Sequence, residues 1–308
     1  MRQIKKFETR EEWLNFRKEG IGGSEVGTIM GVNSFQTPYQ LWQIKKGILP
    51  PIEENEAMLR GHQLENSVAT IFADTTGFEI IEDTVGDYIV FDDERPYLRV
   101  SPDREFFFAD GTKGVLECKT TRRDVSEDDI PLSWYCQLQY QLGMLGYERG
   151  AIAWLKAVGF EFGYKIFNFD KDFFDMLINK VEDFYTNYIA GDKEPDVTCV
   201  EDVVSKYPTH EAGKTLEIDS DIYNACVELK GIKKQIDALE ETKKELEEKI
   251  KLAMQDNEAI TFEGNTIATW KSSKSSVKFN AKKFQNDNPE LAEKYMEETL
   301  GARRFLLK

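Results

Sequence analysis

Three residues carry the clearest chemistry in this sequence: Asp103 in SPDRE, and Glu117 and Lys119 in LECKT. An acid near the end of one strand, then an acid and a lysine one residue apart on the next, share one face of a sheet because strand side chains alternate. Two carboxylates brought together repel unless a cation lies between them. Oxygen donors of this kind suit a hard ion such as magnesium or manganese, and the backbone carbonyl of Cys118 can complete the coordination. Lys119 is then placed to hold or deprotonate a water beside a phosphodiester, its pKa lowered by the metal and by burial. The ordinary alternative for such a triplet is a solvated, charged sheet face. Val115 and Leu116 argue against it, since an unpartnered carboxylate on a buried strand costs several kcal/mol.

The elements that must position the triplet show in the hydropathy pattern. A helix is predicted over residues 11–18, followed by the turn GIGGS, in which Ser24 caps a short helix over 25–30 that Gly31 ends. Helices follow over 38–46 and 54–75, the second carrying Met58, Leu64, Val68, Ile71 and Phe72 at helical spacing and stopping at Gly77. The rhythm then changes to short β-type runs, EIIEDT, GDYIVFD, YLRVS, EFFFA and GVLECKT. A helix over 131–146 turns Leu138, Leu142 and Leu145 inward, and strands AIAWLKA and FEFGYKIFNF and a helix over 170–189 complete a mixed α/β core closing at GDKEPDVT.

Beyond residue 218 the pattern is different. Ile222, Leu229, Ile236, Lys243 and Ile250 fall at one heptad position, and Ala225, Ile232, Leu239, Leu246 and Ala253 fall three residues later. Five heptads predict a coiled-coil helix of about 35 residues, either an arm packed on its own subunit or an interaction surface. A hairpin turned at 263–265, a helix after Pro289 and a strand-like RRFLLK follow. The expected division is 1–200 and 218–308.

The 308 residues carry a formal charge of -16, which by itself argues against a protein that coats nucleic acid. The charge is uneven: residues 1–214 hold 24 Lys and Arg against 38 Asp and Glu, whereas 215–308 hold 16 against 18. Residues 265–285 have five lysines and no acid, a local basic surface whose ordinary reading is a solvated loop. Four scattered cysteines and two histidines lack the spacing of a zinc or iron–sulfur site. The basic N-terminus has no apolar stretch behind it, no apolar run approaches membrane-spanning length, and the expected address is cytoplasmic.

Taken in order, WLNFRKEGIGGSEVGTIMG, LRGHQLENSVATIFADTTG, SPDRE, LECKT and WYCQLQYQLGML resemble the YqaJ-like viral recombinases, relatives of lambda exonuclease, over residues 10–195. The resemblance implies a restriction-endonuclease-like PD-(D/E)xK core, a mixed sheet flanked by helices. It also implies a metal-dependent, processive 5′-to-3′ nuclease acting on double-stranded DNA ends, a ring-shaped homo-oligomer, typically a trimer, and a phage or prophage origin in a bacterial host. Asp103 and Glu117 match the metal-binding acids, the Cys118 carbonyl the backbone ligand and Lys119 the catalytic lysine. Glu65 matches the helix-borne acid that supports a second metal or orients the lysine, with His62 a neighbour one turn away. Arg17 and Ser24 match residues gripping a 5′-phosphate, and a helix start at Gly-Gly-Ser offers free amides to an anion. Without the resemblance, GIGGSE reads as an ordinary helix start. Gln137 matches a position near the active site and faces the same way as Gln141, and Ser101 is placed to touch a phosphate.

The expected fold is therefore α/β with a C-terminal coiled coil and small α+β appendage. The expected activity uses two Mg2+ or Mn2+ ions for in-line attack of water, exposing a 3′ strand for a single-strand annealing protein. The same core also supports a structure-specific or restriction-type endonuclease, or a DNA-end-binding scaffold without cleavage.

Overall fold

A computed structural model describes residues 2–81, 88–297 and 301–308. The chain forms two units, Met1–Lys206 and Tyr207–Lys308.

The first unit is built on a mixed five-stranded sheet of β2 (Glu79–Ile80), β5 (Arg104–Phe107), β6 (Lys113–Thr121), β7 (Arg149–Lys156) and β8 (Phe162–Asn168), in that spatial order. β6 and β7 run parallel and the other neighbours antiparallel. Parallel neighbours need a crossover, and the crossover is α5 (Leu132–Leu145). Alternation along β6 divides its side chains. Leu116 lies with Val68 and Phe72 of α4 (Glu56–Thr76) in one core, with half-buried Cys118 against it, while Val115 packs with Leu138 and Leu142 of α5 in another. Beyond its exposed first residue, Lys113, β6 reads as an apolar run in which Glu117 and Lys119 stand out.

A second sheet, β1 (Arg2–Lys6), β3 (Tyr88–Asp92) and β4 (Arg99–Val100), joins α2 (Gly23–Ile29), α3 (Pro38–Lys45), α5 and α6 (Lys171–Phe184) in a third core. β1 escapes the hydropathy pattern because its five residues are all exposed. The predicted strand EIIEDT is described only as far as Ile81; its remainder and the start of GDYIVFD lie outside the described residues. α1 (Arg10–Lys18) is capped by Thr9, whose side chain accepts from the Glu12 amide.

Two local readings are corrected. Ser24 does not cap α2: Gly22 is the cap, and the Glu25 carboxylate reaches back to the Gly22 N–H at 2.8 Å. The first unit also extends past GDKEPDVT through α7 (Val200–Lys206), whose fully buried Asp202 accepts from Thr37 Oγ1 at 2.8 Å and from the Thr198 amide at 3.0 Å.

In the second unit, α8 (Ser220–Met254) is a 35-residue helix. β9 (Ala259–Phe262) and β10 (Asn265–Thr269) form the predicted hairpin, with Glu263 at φ 49° and Gly264 at φ 81° in the left-handed conformations a two-residue type I′ turn requires. α9 (Ala281–Asp287) and α10 (Pro289–Glu293) follow. RRFLLK is not a strand; residues 301–308 have no regular structure.

Candidate active site

Because Arg104 pairs with Leu116 across the antiparallel β5–β6 ladder, Asp103 arrives opposite Glu117. The Cys118 amide donates to Asp103 Oδ2 at 2.8 Å. Glu117, on the α5 face of β6, is 1% exposed. Its Oε1 accepts from Lys119 Nζ at 2.5 Å and Gln137 Nε2 at 2.7 Å, and its Oε2 from Gln141 Nε2 at 2.8 Å. Lys119 Nζ also donates to Gln137 Oε1 at 2.9 Å. Four of the predicted residues, Glu117, Lys119, Gln137 and Gln141, thus form one hydrogen-bonded cluster, with Asp103 held against the intervening residue of β6.

The charges are unbalanced. Burial pushes the Asp103 carboxyl well above the usual aspartate range, and the Glu117 and Glu65 carboxylates push it further, with Lys119 only partly opposing them. The Cys118 thiol rises for the same reasons, burial first and then the three acids, and stays protonated. At Lys119 burial acts to lower the pKa, but Glu117 and Asp103 outweigh it and hold the ammonium above its ordinary value.

Glu65 lies on α4, which covers the other face of the sheet, and its Oε1 accepts from Arg104 Nη1 at 2.5 Å. It contributes to the field at Asp103 through space and makes no bond to Lys119 among the described contacts. His62, one turn away, pairs with Glu54 at 2.7 Å on the surface.

The turn before α2 is brought to this cluster by small residues. Gly23 and Gly27 share one face of α2: a Cβ on Gly23 would lie 3.4 Å from Gln137 Cγ and 3.6 Å from Gln141 Cγ, and one on Gly27 only 2.9 Å from Ser133 Cβ. α2 therefore runs along the 133–137–141 face of α5, with its N-terminal turn beside the two glutamines that hold Glu117. Arg17 Nη2 donates to Ser24 Oγ at 2.7 Å, and the guanidinium lies 5.0 Å from the Trp13 ring centroid. Lys45, 6% exposed at its side chain, pairs with Glu25 at 2.8 Å and donates to Gly20 O, fixing the turn from the α3 side. Ser101 is engaged elsewhere, its Oγ donating to Tyr88 O at 2.8 Å.

Arg104 and Lys45 were not among the residues singled out from sequence. An arginine inside the strand EFFFA's leading edge, next to Asp103, is the signal for the first, since a buried guanidinium must find an acid. Glu105, also in SPDRE, is a different kind of acid: buried, and satisfied by the Tyr88 and Tyr147 hydroxyls.

The crowding of Asp103, Glu117 and Glu65 suits a divalent cation, because charge that raises a carboxyl pKa is charge a cation neutralises. Gln141 Oε1, on the amide bonded to Glu117, is buried without a hydrogen-bond partner among the described residues. As the side chains stand, no three His, Cys, Asp or Glu among the described residues are arranged as a chelating group, Glu65 being turned to Arg104 and Glu117 to Lys119.

A family model described as the YqaJ-like viral recombinase domain matches residues 12–148. The uncharacterized protein YqaJ of Bacillus subtilis (strain 168) is 32% identical over 310 residues, covering 97% of this chain and 94% of its own. Among solved structures, an alkaline exonuclease (LHK-Exo) from Laribacter hongkongensis is 20% identical with a TM-score of 0.48, over 58% of this chain and 93% of that one. A phage-related exonuclease from Haemophilus somnus 129PT is 12% identical with a TM-score of 0.42, over 56% of this chain and 94% of that one.

Proposed function

We propose a function from one premise: this chain belongs to the YqaJ-like viral recombinase family. It is a metal-dependent deoxyribonuclease with a PD-(D/E)xK core that degrades one strand of linear duplex DNA from the 5′ end, leaving a 3′ strand for recombination. The observation that carries this reading is the cluster of buried Glu117 with half-buried Asp103 and Lys119, two acids and an amine on adjoining strands with the Gly22–Ser24 turn beside it.

Asp103 and Glu117, with the Cys118 carbonyl, would hold a magnesium or manganese ion, and Glu65 would support a second. A bound divalent ion supplies the positive charge that makes a water acidic and stabilises a leaving oxygen. Lys119, charged and held by Glu117 and Gln137, is placed to position that water and to stabilise negative charge on the attacked phosphate. Gln137 and Gln141 fix the carboxylate, leaving Glu117 few alternative rotamers. Arg17 and Ser24 are paired with each other at 2.7 Å, which holds a guanidinium and a hydroxyl side by side. A terminal 5′-phosphate arriving there would receive charge-assisted hydrogen bonds from Arg17. Gly22 is not free to contribute, its amide being held by Glu25.

Double-stranded DNA ends are the proposed substrate, the working form a ring of identical chains, and a single-strand annealing protein the recipient of the product. None of the described helices is long and apolar enough to cross a membrane. The test is release of nucleotides with magnesium from a linear duplex and from the same DNA as a closed circle. The proposal expects release from the linear form alone; nicking of the circle points to an endonuclease, and no release from either to an end-binding protein.

A further inference from the structure

The second unit presents an apolar stripe along α8 of which only Leu229 is half-buried, next to Lys230, whose Nζ donates to the Lys308 carbonyl. Along α8, the seam residues Ile222, Ile232, Ile236, Leu239, Leu246 and Ile250 are all exposed, from 42% at Ile250 to 69% at Leu239. Such a stripe at heptad spacing is stable in water only against another helix. We propose that its occupant is α8 of a second copy of this chain, paired antiparallel.

The composition of the seam selects the orientation. A parallel, in-register pair sets like against like: Ala225 meets Ala225, Ala253 meets Ala253, and the Lys243 ammonium groups face one another. The first two layers are underfilled and the third is repulsive. An antiparallel pair with its two-fold axis between Ile236 and Leu239 sets Ala225 against Ile250, Ala253 against Ile222 and Lys243 against Ile232 of the second copy. Every alanine then meets an isoleucine, and the remaining layers are Leu229 on Leu246 and Ile236 on Leu239. Lys243 can lay its stem over Ile232 and keep its charge at the edge; on its own helix the ammonium already leans to Glu247, 3.7 Å away. This axis falls at the middle of the Ser220–Met254 helix, so the two helices overlap along their whole length.

The flanks agree with the seam. In the antiparallel register Glu228 faces Lys249 and Lys233 faces Glu240 of the second copy, each contact occurring twice by symmetry. The parallel register offers only Glu228 with Lys233. Apolar layers and charges thus favour the same arrangement, and neither depends on what the first unit does.

Zero-length carbodiimide cross-linking of the full chain, followed by peptide mapping, reads the register. A Glu228–Lys249 cross-link is expected, and it can only be intermolecular, because 21 residues of helix separate the two by about 31 Å within one chain. Sedimentation equilibrium of charge variants gives a second readout at exposed positions that do not touch the fold. Glu228→Lys should weaken self-association on the order of tenfold, and adding Lys249→Glu should restore it. Restoration by Lys233→Glu instead, with a Glu228–Lys233 cross-link between copies, would establish a parallel coil and overturn the proposal. Absence of the Glu228–Lys249 cross-link together with no effect of Glu228→Lys on association would mean that α8 does not meet itself.

Discussion

Replacing Asp103 with asparagine should make the metal-free protein more stable while ending cleavage. In the native chain Asp103 is half-buried near the carboxylates of Glu117 and Glu65, and its pKa is raised by loss of solvent first and by those two charges next. A carboxyl whose pKa is higher folded than unfolded contributes its full stability below the unfolded pKa and loses it as pH rises through the folded value. Above the unfolded value, Asp103 therefore costs the fold stability, and the cost grows as pH rises towards the folded pKa. Asparagine keeps an oxygen to accept the Cys118 amide at 2.8 Å and removes the charge. Relieving strain of this kind at a functional site is commonly worth about 0.5–2 kcal/mol. For a unit of this size that is a rise of roughly 1–8 °C in melting temperature. The assay is thermal unfolding with a chelator and with magnesium, from pH 5 to pH 9. The variant's advantage should grow with pH in chelator, and magnesium should stabilise the native protein and leave the variant nearly unchanged. A variant less stable than the native chain in chelator at pH 8, or equally stabilised by magnesium, would refute the electrostatic argument.

Three further outcomes follow from the same geometry. Lys119→Ala should lower turnover by at least about 100-fold while leaving magnesium-dependent binding of DNA ends within a fewfold, measured by single-turnover digestion and fluorescence anisotropy, because the amine acts on the reaction and not on the ion. Arg17→Ala should equalise the rates on 5′-phosphorylated and 5′-hydroxyl duplexes, whereas the native chain should digest the phosphorylated duplex faster. A chain ending at Lys206 should fold and retain magnesium-dependent digestion. One ending at residue 200 should melt lower by about 5 °C or more, since it loses the Asp202 hydrogen bonds to Thr37 and Thr198 and the Gln43–Ser205 contact.

The parts of the fold legible in the sequence are those governed by local rules. α4 begins at the Asn55 cap and stops at Gly77, with φ 72°, one or two residues from its predicted bounds. The β9–β10 hairpin follows from Glu263–Gly264. LECKT reads as a strand because its neighbours are apolar, and its acid is buried for the same reason. What escaped depends on partners distant in the chain. Ser24 has a capping side chain, yet Gly22 takes the cap because Glu25 closes on it and Arg17 claims the Ser24 hydroxyl. α7 is short and polar and is held by Thr37, more than 160 residues away in sequence. The partner of Glu65 is Arg104, on another element, and no spacing rule connects them. At Lys119 the balance between burial and two carboxylates depends on distances that spacing along the chain does not carry.

The central claim is that the Asp103, Glu117 and Lys119 cluster removes nucleotides from the 5′ end of a duplex. The most direct measurement is a time course on linear duplex DNA labelled separately at each 5′ and 3′ terminus, with magnesium present. The account predicts immediate loss of 5′ label as mononucleotide, retention of 3′ label on shortening strands, and neither event for Asp103→Asn. Early loss of 3′ label, internal fragments, or undiminished digestion by the Asp103 variant would contradict it.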